Sequence, residues 1–337
     1  MWLDDGWLLC VRESHEPDVI AAHGEATNDR VAVPLDGSGA TDGTQVRTLV
    51  HGPDFVHTPA VSADRVAWLQ WDHPAMPWDG CELVAGTIAR DDDGAPVRIV
   101  GLAHVAGGPA ESVVQPGFTS AGELVFCTDR TGWWNPWIQT ASGTEPEPML
   151  AGGGVEAEIG GGLWVGGLRW WAEIAPGRLA VAMTANGGDA LGIVEPDGAL
   201  RRLDVPLTEV SQVVAGHETG TALVVGASPV TEGAPHRLGL DGELELLRPH
   251  RDLGIGPEWF SRPTHVSFPS AQGRTAHALH YPPTNPDVTA PAGERPPGAD
   301  GVQQAQPPAE RDARGGGCAD SAAELRTSVR FWLTEPE

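Results

Sequence analysis

Lysine is absent from this sequence: all 21 basic residues are arginine. No Schiff-base lysine, lysine general base or phosphate-loop lysine is therefore available. Tyrosine occurs once and methionine four times, beside abundant Ala, Gly and Arg, a composition typical of a high-GC genome. Cys10, Cys81, Cys127 and Cys318 lie far apart and form no CxxC pair, which argues against structural zinc, a redox pair or a disulfide framework. No apolar run approaches the roughly 18 residues of a membrane span. The opening Met1-Trp2-Leu3-Asp4-Asp5 lacks the basic and apolar regions of a secretory leader, so the expected location is cytoplasmic. Acidic residues outnumber basic ones by 46 to 21, for a net charge of -25. That field repels nucleic acid and anionic lipid, and neither is expected as a partner.

What is present is a repeat of short apolar runs behind acidic-Gly or Pro-Gly turns. The turn anchors are Asp4-Asp5-Gly6, Ser62-Ala63-Asp64, Ser120-Ala121-Gly122, Ala175-Pro176-Gly177 and His217-Glu218-Thr219-Gly220. Their spacing is roughly 40 to 60 residues, the length of a four-stranded propeller blade. Each anchor is followed by three strand-like runs. The first unit has 7–11, 30–35 and 46–50; the second 65–71, 82–88 and 97–100; the third 123–128, 137–140 and 148–150. The fourth has 178–184, 190–195 and 200–203, and the fifth 221–226, 236–240 and 244–247. Helical periodicity is nearly missing, so an all-β array is predicted. A β-sandwich is the competing architecture. Five similar units of blade length favour a partial propeller, because a blade has two apolar faces that only neighbouring blades cover.

The pattern changes after Pro257. Residues 265–268 and 275–281 form one hairpin pattern around Ser270-Ala271-Gln272-Gly273, and Pro282-Pro283-Thr284-Asn285-Pro286 then breaks the chain. From 298 to 317 Val302 is the one aliphatic residue larger than Ala, too little apolar area to offset ordering, so this stretch is expected to be disordered. A short helix is predicted over 321–333, with Leu325, Val329 and Trp332 on one face. The expected domains are 1–256, a partial propeller; 257–297, a crossing segment with the hairpin; and 298–337, a tail.

Four passages resemble the prolyl oligopeptidase family of serine peptidases, in its acylaminoacyl-peptidase and dipeptidyl-aminopeptidase branch. They are Ala67-Trp68-Leu69-Gln70-Trp71-Asp72-His73-Pro74 with Met76-Pro77-Trp78-Asp79-Gly80, Glu111-Ser112-Val113-Val114-Gln115-Pro116, Thr128-Asp129-Arg130-Thr131-Gly132-Trp133-Trp134-Asn135, and Ser261 through Pro286. The resemblance runs over about residues 6–297. It implies a propeller, usually of about seven blades, that caps an α/β-hydrolase domain and filters peptide substrates by size. It also implies that 257–297 opens an incomplete hydrolase domain. With about five units visible, the array is expected to be an incomplete, marginally stable ring. Where the family continues into a buried strand and an oxyanion-hole segment, this chain has Gly298 to Gly317, the pattern of a reading-frame disruption.

Such a peptidase needs a GxSxG elbow, then Asp, then His. No serine here has glycine on both sides at that spacing; Gly226-Ala227-Ser228-Pro229-Val230 comes nearest and lacks the second glycine. No catalytic residue, metal site or cofactor is assigned, and the chain alone is expected to be inactive. Asp72, Asp79, Glu111 and Arg130 are the candidates for the substrate-gating face, where a carboxylate can hold a peptide amine. The competing reading is that they pair across blades or cap turns. Trp133, Trp134 and Trp137 are read as blade packing, and Asp91-Asp92-Asp93-Gly94 as a solvated turn rather than a calcium loop. His277 and His280 are placed on opposite faces of a strand, which opposes a shared metal. Two other functions compete: a free-standing propeller scaffold, and a glycosidase using paired carboxylates.

Overall fold

The computed structural model describes residues 1, 3–269, 275–289, 291 and 293, together with the backbone of 301–303 and 328–330. Nearly all of its regular structure is antiparallel sheet. The Asp4-Asp5-Gly6 turn leads into β1 (Trp7–Ser14), which pairs with β2 (Thr27–Pro34) and through it with β3 (Arg47–Val50). Helices α1 (Pro17–His23) and α2 (Ser38–Thr41) sit in the two connections. Ahead of the turn, Met1 O accepts from Leu9 N–H at 2.9 Å and Leu3 N–H donates to Trp7 O at 3.0 Å. Met1 and Leu3 thus bond back onto β1.

Four further sheets are four-stranded meanders. They are β4 (Phe55–Ser62) to β7 (Pro96–Gly107), with β5 Arg65–Trp71 and β6 Glu82–Arg90; and β8 (Val113–Phe118) to β11 (Glu147–Pro148), with β9 Leu124–Thr128 and β10 Asn135–Gln139. Next come β12 (Trp171–Ala175) to β15 (Leu200–Arg202), with β13 Arg178–Ala185 and β14 Gly188–Val194; and β16 (Glu209–Ala215) to β19 (Leu244–Leu246), with β17 Thr221–Ser228 and β18 Thr231–Gly239. These are propeller blades, and the fold is a partial β-propeller of five blade sheets followed by a hairpin.

Each sequence anchor after the first is the turn between a blade's first and second strands: 62–64 joins β4 to β5, 120–122 β8 to β9, 175–177 β12 to β13, and 217–220 β16 to β17. The three runs read after each anchor are the second to fourth strands. The first strand of each blade, ahead of its anchor, is what the sequence pattern leaves out. The register of all four first strands shifts, between His57/Ala60, Val114/Gly117, Glu173/Ala175 and Val210/Gln212. Two of the bulges contain Pro59 and Pro116, each preceded by a residue at positive φ (Thr58 43°, Gln115 48°). Proline inside a sheet is confined to edges and bulges, and it interrupts the alternation that marks a strand.

The chain divides into two compact units, Met1–Val155 with Gly160–Leu168, and Glu156–Ile159 with Arg169–Glu337. In the first, Leu9, Val56, Val66, Trp68, Val84 and Ile88 form a core between the first two sheets. In the second, Ala180, Leu191, Ile193, Val213, Val224 and Leu238 join the fourth and fifth sheets. Fully burying each such Leu, Ile or Val stabilises by about 1.5–3 kcal/mol. The hairpin β20 (Thr264–Pro269) and β21 (Thr275–His280) groups with the second unit, where His265 Nδ1 lies 2.8 Å from Asn186 O.

Of the predicted tail, β22 (Gly301–Gln303) and β23 (Ser328–Arg330) are among the described residues, in the order β20-β21-β23-β22. Ala278 pairs with Val329 in parallel. Strand thus stands at 328–330, where the periodicity predicts helix; a β-branched Val between two polar residues suits an added strand as well as a helical face. The rest of 298–317 and of 321–333 lies outside the described residues. No helix among the described residues is long and apolar enough to cross a membrane.

Candidate functional site

The four candidate gating residues lie at one kind of corner in the first unit, where the loop leaving a blade's second strand meets the start of its first. In the second blade, Phe55 pairs with Trp71, which places Asp54 opposite Asp72. Asp72 Oδ1 accepts from Asp54 N–H at 2.7 Å, and Asp54 Oδ2 accepts from His73 N–H at 2.8 Å. In the third blade Val113 pairs with Thr128, placing Ser112 opposite Asp129. Asp129 Oδ1 accepts from Ser112 N–H at 2.8 Å. Asp72 and Asp129 are therefore equivalent: each ties the first residue of the incoming strand to the end of its neighbour. A bond of this kind to an ionised acceptor contributes about 1.5–3 kcal/mol when sheltered. The recurring sequence signal is an Asp immediately after the second strand, in Trp71-Asp72-His73 and Thr128-Asp129-Arg130.

Glu111 and Arg130 meet each other. Glu111 Oε1 is 2.9 Å from the Arg130 guanidinium and accepts from Thr128 Oγ1 at 2.6 Å. The guanidinium also lies 4.5 Å from the Trp137 ring centroid, a cation–π contact worth about 0.5–1 kcal/mol near the surface. Asp79 is exposed and gives its backbone N–H to Met76 O at 2.9 Å within the Met76–Gly80 turn. The structure thus brings Glu111 and Arg130 together, uses Asp72 to fasten a corner, and leaves Asp79 facing solvent.

A cleft of about 270 Å³ beside the Asp54–Asp72 corner is lined by Glu13, His15, Glu25, Asn28, Phe55 and His73, among others. His73 Nε2 lies 3.2 Å from Glu25 Oε2, and the His73 ring meets the Phe55 edge at 4.9 Å. No group of three or more metal-ligating side chains is assembled among the described residues.

Ser228, Ser267 and Ser112 make side-chain hydrogen bonds. Ser228 Oγ is 2.7 Å from Thr231 Oγ1 in the turn between β17 and β18. Ser267 Oγ is 2.8 Å from His277 Nδ1, a cross-strand pair on the exposed β20–β21 hairpin. Ser112 Oγ donates to Pro77 O at 2.7 Å, in the core. Cys81 is buried, which pushes its thiol up to about 12, and Sγ donates to Val113 O at 3.2 Å. Asp91 Oδ1 accepts from Asp93 and Ala95 N–H, closing a turn.

The solved structure of a puromycin hydrolase aligns with 87% of this chain at 34% identity and a TM-score of 0.76. The chain carries a propeller region of the prolyl oligopeptidase family. A puromycin-hydrolyzing peptidase of Mycobacterium tuberculosis aligns with 88% of the chain at 33% identity, with a TM-score of 0.73. Prolyl oligopeptidase B from Galerina marginata, bound to a 25mer macrocyclization substrate, shares the fold over 82% of the chain at 14% identity, with a TM-score of 0.60. The chain spans 43% of the length of the first two proteins and 37% of the third. No protein-family model and no curated protein matches the sequence.

Proposed function

We propose that this chain is the substrate-recognising propeller portion of a serine peptidase of the acylaminoacyl-peptidase or dipeptidyl-aminopeptidase kind. It acts on short peptides in the cytoplasm and does not cleave them by itself. The observation that carries this reading is the alignment of 87% of the chain, at 34% identity, with under half of a puromycin hydrolase. That the whole sequence contains no GxSxG elbow supports reading bond cleavage as the work of a hydrolase domain rather than of this propeller. Among the gating candidates we read the exposed Asp79 as the one that meets a substrate amine, while Asp72 and the Glu111–Arg130 pair are engaged at the corners of their own blades.

The test is a chimera in which this chain replaces the matching propeller region of the puromycin hydrolase. The chimera is expected to cleave aminoacyl amides and short peptides and to leave a folded protein of similar sequence intact. Equal cleavage of short peptides and of the folded protein would contradict the gating role.

A further inference from the structure

Strand β2 buries two charged side chains in succession, Asp29 and Arg30. Strand alternation sends them to opposite faces of the first sheet. On its face Asp29 is paired twice, at 2.5 Å with Arg12 and at 2.6 Å with His51. Arg30 is 0% exposed and its one bond is from Nη2 to the backbone oxygen of His57, at 3.0 Å. Nε and Nη1 are buried and meet no acceptor among the described residues.

The surroundings of Arg30 are apolar. It lies opposite Val11 on β1 and Val50 on β3. Two residues along the same face, Ala32 lies opposite Leu9. Leu9, Val56 and Trp68 belong to the core between the first two sheets, and Val50 packs against that core. Burial pulls the pKa of Arg30 down to about 9, against a smaller opposing effect of Cys10. The guanidinium is therefore charged at neutral pH. Burial, and then this charge, hold His57 below its usual value.

An unpaired charge in an apolar layer is costly, and buried charges are as a rule paired. Buried donors without acceptors add to the cost. Asp29 cannot serve, because it points to the other face and already holds two cations. An anion supplies both the opposite charge and the acceptor. Complete enclosure of the side chain selects a small one, since a carboxylate or phosphate ester brings a body that needs an opening. The net charge of -25 disfavours multivalent anions.

We propose that the Arg30 guanidinium holds a small monovalent inorganic anion of the halide class, such as chloride, between the first two sheets. The anion accepts from the donors that no protein group meets and neutralises the buried charge. This site is separate from the candidate gating residues and does not depend on the peptidase-propeller reading.

The test melts the full chain in sodium chloride and in sodium gluconate at equal ionic strength, gluconate being too bulky for an enclosed site. The line width of the chloride NMR signal is followed as protein is added. The parent chain is expected to melt about 2 °C or more higher in chloride and to broaden the chloride signal. Arg30→Met, which keeps the length and removes the charge, should melt alike in the two salts and lose the extra broadening. Arg30→Gln takes its place if Arg30→Met does not fold. Arg12→Met removes a paired arginine and should keep both effects. Equal melting of the parent chain in the two salts, or a chloride effect that survives the loss of Arg30, would overturn the proposal.

Discussion

Asp72 and Asp129 make the same bond in two blades, but in different surroundings. Asp129 is buried beside Ser112, whereas Asp72 is exposed. Removing a sheltered acceptor strands a buried N–H, and removing a solvated one lets water replace it. Asp129→Ala is therefore expected to lower stability by about 2–3 kcal/mol and Asp72→Ala by about 1 kcal/mol or less, measured by urea unfolding. Equal losses would show that burial does not set the strength of these ties. Asp29 allows a pH test. Burial alone would raise its pKa, but Arg12 at 2.5 Å and His51 at 2.6 Å hold the carboxyl below its usual value. A depressed folded-state pKa gives stability that is present above the unfolded value of about 3.9 and lost as pH falls through the folded value. Melting temperature should thus fall less steeply below about pH 4 in Asp29→Asn than in the parent chain; parallel curves would remove Asp29 from the acid response. Asp72, Asp79, Glu111 and Arg130 stand out in the sequence because they sit in motif-like runs. That Asp129 repeats the bond of Asp72 and that Trp164 stacks on Trp78 is not legible there, since neither relation is local in sequence.

At the scale of elements, the turns were legible and the first strands were not. Ser62-Ala63-Asp64 and Ala175-Pro176-Gly177 announce themselves through turn residues, and the apolar strands that follow alternate cleanly or run continuously. β4 and β8 carry Pro59 and Pro116 behind Thr58 and Gln115 at positive φ, so their pattern breaks where the bulge is. A β-branched residue in that region is strained by about 1–3 kcal/mol. Gly80 marks another such constraint. Its added Cβ would meet the backbone of Gly108 and Pro109 at 2.4–2.8 Å, and backbone cannot move aside as a flexible side chain does. Gly80→Ala should destabilise by about 2 kcal/mol or more and should disturb Trp78 and Asp79, whereas Gly94→Ala, in open space though at φ 81°, should cost about 1 kcal/mol. Thermal melts of the two variants decide this; equal losses would show that strain at φ, and not close approach, dominates.

For the whole molecule, blade sheets need cover on both faces. On β17, Ala222 and Val224 are buried while Leu223 and Val225 are 40% and 36% exposed. One face of the fifth sheet packs into the core and the other presents aliphatic side chains to water. Such a face favours association, so Leu223→Lys with Val225→Lys is expected to reduce hydrophobic-dye binding and self-association, read by fluorescence and sedimentation. Unchanged dye binding would place the adhesive surface elsewhere. On the proposed function, this propeller recognises peptides without cleaving them. The most direct measurement treats the pure, folded chain with a fluorophosphonate probe and follows release from aminoacyl-nitroanilides. No labelled serine and no release above the solvent rate are expected. Stoichiometric labelling of one serine, whether Ser228, Ser267 or another, together with turnover that its alanine variant abolishes, would contradict it.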